Sequence, residues 1–126
     1  MNLLENLGIH PQSVTADQAI ITIDVSDRLM QPYGIVHGGI NAVLAETAAS
    51  LAANAWLNRQ NREQVAIGVN ITTEHLLPVA SGEIIVKAQP LKRGRTIQTW
   101  FVKEFNGTHL TSTSTVTLAN RPKPQI

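Results

Sequence analysis

Gly38-Gly-Ile-Asn-Ala-Val-Leu-Ala-Glu46-Thr-Ala-Ala-Ser50-Leu-Ala-Ala-Asn-Ala-Trp-Leu-Asn-Arg59 contains no proline. Its Ala, Leu, Asn and Glu content predicts a helix of some twenty residues, roughly 30 Å long at 1.5 Å per residue. Ile40, Val43, Leu44, Leu51, Trp56 and Leu57 cover most of its sides. A helix apolar nearly all round belongs in an interior. Between Arg28 and Arg59, thirty residues hold one formally charged side chain, Glu46.

Strand patterns flank this helix. Ahead of it, Ala19, Ile21, Ile23 and Val25 alternate with other residues and predict a half-buried strand. Asp27 to Gly34 reads as a loop. Behind it, strands are expected at Val65–Ile71, Glu83–Leu91, Thr96–Phe105 and Thr108–Ala119. Lys92-Arg93-Gly94-Arg95 and Asn106-Gly107 supply tight turns between the last three. The tail 120–126, with Pro122 and Pro124, is expected to be disordered, leaving one domain over 1–119. One strand, one long buried helix and four mostly antiparallel strands make an α+β architecture, a curled sheet wrapped around a central helix.

Composition narrows the chemistry. The chain has 126 residues, 15 % of them charged, and a net charge of +1. Near-neutrality argues against a nucleic-acid binder. The absence of cysteine excludes disulfides, Cys-ligated zinc, Fe–S clusters and thiol nucleophiles. His10, His37, His75 and His109 show no metal-ligand spacing, so no metal is expected. The first ten residues carry no secretory signal pattern, and no stretch is apolar enough for a membrane span, which predicts a cytoplasmic protein.

A carboxylate in a buried helix costs several kcal/mol, on the order of 3 or more, unless it is paired or lines a cavity. Glu46 is therefore either an exposed helix position or a pocket group, with Ser50 one turn later on the same face. In a pocket it would serve as nucleophile or general base. His37-Gly38-Gly39 stands where the helix begins. Its glycines either relieve crowding or open the backbone N–H groups and the positive helix end to a developing oxyanion. Gly38 and Glu46 are eight residues apart, about 12 Å along the axis. They cannot grip one carbonyl within one chain, so joint function predicts a two-fold homodimer with shared sites. The basic turn Lys92–Arg95 is either solvated or a phosphate clamp.

The run Gln31-Pro-Tyr-Gly-Ile-Val-His37-Gly38-Gly39-Ile-Asn-Ala-Val-Leu-Ala-Glu46-Thr-Ala-Ala-Ser50 resembles the hotdog-fold acyl-CoA thioesterases. The branch in question includes phenylacetate-pathway, 4-hydroxybenzoyl-CoA and 1,4-dihydroxy-2-naphthoyl-CoA enzymes. The resemblance spans roughly residues 10 to 119. It implies hydrolysis of an acyl- or aryl-CoA thioester without cofactor. Glu46 would be the catalytic carboxylate, Gly38 the backbone donor to the carbonyl, and Gln31 and His37 contacts to the thioester or its sulfur. Ser50 would position water. Gly68, His75 and the turn around Gly94, with Arg93 and Arg95, would hold the CoA nucleotide. A homodimer with active sites at its interface, associated into a homotetramer, is implied as well. Two alternatives stand beside hydrolysis: an enoyl-thioester hydratase or dehydratase on the same fold, and a non-catalytic acyl-CoA-binding protein.

Overall fold

The computed structural model describes residues 1–60 and 62–124. Helix α1 (Leu3–Leu7) leads into strands β1 (Ile9–Val14) and β2 (Ala19–Asp24). After a single 3-10 turn at Asp27–Leu29 come α2 (Gly38–Arg59) and strands β3 (Gln64–His75), β4 (Glu83–Arg93), β5 (Ile97–Asn106) and β6 (His109–Pro122). The six strands form one sheet in the order β1-β2-β4-β5-β6-β3, every pair antiparallel. The sheet is not closed: β1 and β3 are its two edges. It curls round α2, which touches all six strands. This is the hotdog arrangement the sequence predicts, and α2 has the predicted bounds. Among the described residues no helix is long and apolar enough to cross a membrane.

The helix is asymmetric in a way its sequence hides. The face against the sheet consists of Leu44, Ala45, Ala48, Ala49, Ala52, Ala53 and Leu57, all fully buried. Alanine keeps the helix close to the strands, where Ile21, Val86, Trp100, Val102 and Leu118 fill the remaining space. The opposite face, with Val43, Glu46, Thr47, Ser50 and Leu51, lies in the opening of the sheet and is only half-buried.

Three elements depart from expectation, the first being helix α1, where no element was expected. Strand β1 was not expected, because it contains Pro11 and buries only Ile9; its pairing with β2 defines it. The chain from Asn120 is not a free tail, since β6 continues to Pro122. Trp100 Nε1 donates to Gln98 Oε1 (2.9 Å), and Gln98 Nε2 donates to Asn120 Oδ1 (2.8 Å). Asn120 Nδ2 then donates to the carbonyls of Gly94 and Arg95 (3.0 and 3.1 Å). A buried polar chain thus ties the end of β6 to the β4–β5 turn. Gln125 and Ile126, also assigned to the tail, lie outside the described residues.

Glu104 on β5 is fully buried. Among the described residues neither of its carboxyl oxygens, nor Oγ of the facing Ser112, has a hydrogen-bond partner. Burial pushes the Glu104 carboxyl up from 4.5 to about 8, with Ser112 offsetting part of the rise. The folded chain therefore keeps a proton that the unfolded chain releases near pH 4.5. Stability from this group is full below that pH and is lost as pH rises through about 8. The loss is on the order of 4 kcal/mol. Glu104→Gln should remove this dependence. Its advantage over wild type in urea midpoint should grow from pH 5 to pH 8.5, and an advantage independent of pH would show that Glu104 is ionised in the fold.

Candidate active site

Loop geometry sets the start of α2. The Gln31 N–H donates to the Ile35 carbonyl (2.8 Å), and Gly34 takes φ +82° to turn the chain. Gln31 Oε1 accepts from the Tyr33 N–H. Val36 then docks on the segment after β3, its N–H bonded to the Val79 carbonyl (2.8 Å). His37 is the N-cap of α2: its Nδ1 accepts from the Gly39 N–H at 2.8 Å, which fixes the ring with Nδ1 unprotonated. Gly39 is thereby satisfied, while among the described residues no acceptor meets the Gly38 N–H.

A cavity of about 300 Å³ opens at this helix end, and Gln31, Gly38, Asn41 and His75 supply its polar groups. His75 lies directly over Gly38, where a Cβ would stand 3.0 Å from its Cε1. Its Nδ1 shares a 3.1 Å hydrogen bond with Asn41 Nδ2. Leu76, Leu77 and Pro78 form the apolar side of the same cavity.

Glu46 and Ser50 sit elsewhere. They line a groove of about 610 Å³ along the outward face of α2, in which, among the described residues, Glu46 is the one charged group. The ion pairs among the described residues, Arg59–Asp17 and Arg93–Asp17, leave Glu46 out. Room for the carboxylate comes from β3: a Cβ on Gly68 would fall 2.0 Å from Glu46 Oε2. A bulge between Gly68 and Asn70 breaks the pairing with β6 at this point. Asn54 fixes the helix against the same strand, its Oδ1 accepting from the Ala66 N–H (2.8 Å) and its Nδ2 donating to the Ser50 carbonyl (2.8 Å).

A third hollow lies at the β4–β5 turn, lined by Lys92, Gly94 and Arg95. Gly94 is required there because a Cβ would stand 2.5 Å from the Ile97 carbonyl oxygen. Arg93 points away from it. Its Nη1 donates to the Ala16 carbonyl (2.8 Å) and to Asp17 Oδ1 (2.7 Å), and its guanidinium lies 5.8 Å from the Trp56 ring centre. The Arg93 hydrogen bond holds the Asp17 carboxyl below its usual value.

The residues expected in two groups therefore occupy three places. Gln31, Gly38 and His75 meet at the start of α2, with His37 capping at the rim. Glu46 and Ser50 share the groove. Gly94 and Arg95 stand at the basic turn. Gly68 and His75, expected with that turn to hold the CoA nucleotide, lie against Glu46 and over Gly38 respectively. Gly68 and Arg93 share one transverse row through Leu118 and Gln98, three strand spacings or about 14 Å apart. Asn41 and Asn54 were missed, although an asparagine inside an Ala- and Leu-rich helix is a visible signal of a polar contact.

The Thioesterase superfamily model matches residues 33–113. The chain is 37 % identical to the proofreading thioesterase EntH of Cronobacter turicensis, covering 78 % of this chain and 69 % of that protein. It is 32 % identical to the 1,4-dihydroxy-2-naphthoyl-CoA hydrolase of Listeria monocytogenes, covering 82 % and 81 %. The crystal structure of a thioesterase from Haemophilus influenzae superposes with a TM-score of 0.87 at 34 % identity, covering 94 % of this chain and 82 % of that one.

Gly68→Ala tests the contact between β3 and the carboxylate. The new methyl collides with the flexible end of Glu46 and not with backbone, so the protein should fold with a melting temperature near wild type. Were Glu46 the reacting group, hydrolysis of a thioester should fall by about a hundredfold, the usual effect of a displacement by an ångström. Turnover within twofold of wild type would show that the position of Glu46 is immaterial.

Proposed function

The chain belongs to the thioesterase superfamily, and from its two separated half-sites we propose that it hydrolyses an acyl- or aryl-CoA thioester in a two-fold dimer, Glu46 of one subunit facing Gly38 of the other. The observation that carries this reading is the division of groups between two cavities. One has a free backbone N–H at a helix N-terminus and no carboxylate; the other has the carboxylate and a hydroxyl. Neither is a complete acyl-transfer site. Along α2 they are separated by about 12 Å, so a two-fold axis that sets the groove of one chain against the helix start of its partner completes both at once. The long edge strand β3, which carries Gly68 beside Glu46, is free to pair across such an axis.

In the completed site the thioester carbonyl oxygen lies on the Gly38 N–H, where the helix dipole favours the negative charge of the tetrahedral state. Gln31 and His75 flank that oxygen or the departing sulfur. Glu46 attacks the carbonyl carbon, the C–S bond breaks and CoA leaves as thiolate. Water then cleaves the acyl–Glu46 anhydride, returning the carboxylate and releasing the acid. In the general-base form of the same reaction Glu46 takes a proton from water, which adds to the carbon directly. Ser50, one turn along the groove, holds that water in either case. The CoA phosphates extend toward basic side chains, of which Lys92 and Arg95 form no ion pair among the described residues and Arg93 is committed to Asp17.

Subunit complementation tests both the chemistry and the sharing. Glu46→Ala should lower release of free thiol from a CoA thioester by at least about a thousandfold, with fold and oligomer retained. Gly38→Val, whose side chain runs into His75, should be nearly inactive as well. Unfolded together and refolded as a mixture, the two should recover about a quarter of the wild-type rate, because half the dimers are mixed and each mixed dimer has one intact site. A mixture no more active than its components would refute a site shared between subunits. A Glu46→Ala protein with near wild-type turnover would refute the role of the carboxylate.

A further inference from the structure

The groove that bares Glu46 has a second wall, which the mechanism leaves unused. Strands β3 and β1 are opposite edges of the sheet, and the outward face of α2 spans the opening between them. Glu46 stands on the β3 side, against Gly68. On the other side Leu3 and Leu4 of α1 and Val14 of β1 face it, with Leu51 of α2 between. We propose that α1 and Val14 form the acyl-selecting wall, which admits an uncharged aliphatic acyl group of about eight carbons and sets its length. This deepens the thioester-hydrolysis reading and rests on it.

Size, chemistry and construction all support this occupant. A groove of about 610 Å³ is in the range of small-ligand sites. Crossing the helix face means bridging about 10 Å, the reach of an extended chain of roughly eight carbons. The residues by which this wall lines the groove, Leu3, Leu4 and Val14, are all aliphatic, and Glu46, the one charge lining it among the described residues, repels a second carboxylate such as that of a dicarboxylic acyl group. The wall is also held in place without being part of the core. Asn2 caps α1 by accepting from the Glu5 N–H, Gly8 ends it in the left-handed conformation, and Arg28 donates to the Asn6 carbonyl. No residue of α1 is fully buried: Leu4 rests against the edge of the core while Leu3 stays exposed, so the wall is anchored by packing and still presents apolar surface to the groove.

The test measures free-thiol release by wild type, Leu4→Ala and Val14→Phe on hexanoyl-, octanoyl-, dodecanoyl- and succinyl-CoA. Each methylene on an apolar wall changes kcat/KM by about fourfold. Leu4→Ala deepens the groove and should raise the dodecanoyl-to-octanoyl ratio of kcat/KM by about tenfold. Val14→Phe shortens it and should lower that ratio by a similar factor. Wild type should turn over succinyl-CoA at least about a hundredfold more slowly than octanoyl-CoA. Ratios within twofold of wild type in both variants, or shifted the same way in both, would overturn the wall while leaving thioester hydrolysis standing. So would equal turnover of succinyl- and octanoyl-CoA. Wild type releasing no thiol from any of the four but releasing it from benzoyl-CoA would overturn the wall alone, and no release from benzoyl-CoA either would overturn hydrolysis with it.

Discussion

Five alanines on one side of α2 govern the rest of the molecule. Ala45, Ala48, Ala49, Ala52 and Ala53 are fully buried, and their small size lets the helix lie close enough for all six strands to reach it. A sheet drawn that tightly round a helix leaves one side open, because its edge strands β1 and β3 do not meet. Whatever lies on the far side of α2 is then presented to the outside along the opening. Glu46 lies there. The packing that hides most of the helix is the same packing that exposes its one carboxylate.

Exposure alone would leave Glu46 mobile, and two features of β3 limit it. Gly68 gives the carboxylate a place that any side chain would fill, and Asn54 pins α2 to Ala66 two residues earlier on the strand. The bulge after Gly68 turns the strand away from regular pairing at the same point. These contacts place a carboxylate beside apolar surface with no ion pair among the described residues, which suits the reacting role proposed for it. Glu104 shows the contrasting outcome, since a carboxyl sealed inside the sheet is held protonated.

Much of this was legible in the sequence because it is local. The bounds of α2, the strands behind it and the isolation of Glu46 all follow from composition and spacing within short windows. The 12 Å separation of Gly38 and Glu46 required only the rise of a helix, and the structure indeed distributes them between two cavities. What escaped is non-local. Arg93 read as a free basic group because its partner Asp17 lies seventy-six residues away. Asn120 read as tail because its partners sit on β5 and in the β4–β5 turn. Strand β1 has no alternation to detect, since it is held at an edge by backbone bonds and not by buried side chains. Gly68 could be seen as a glycine in a strand, but not as the neighbour of Glu46.

The N-cap of α2 joins the two kinds of information. A serine or aspartate cap would likewise take the second or third N–H of this helix and leave the first, that of Gly38, free. The His37 ring does so by folding back onto the second N–H of the helix, while His75 and Asn41 close over the Gly38 side from β3 and from the helix itself. The first N–H of α2 thus faces a cavity with no acceptor among the described residues. A helix end normally spends such a group on solvent. Here the fold keeps it directed at a site that its own chain leaves without a carboxylate, so the dimer proposed above belongs to the chemistry as much as to the architecture.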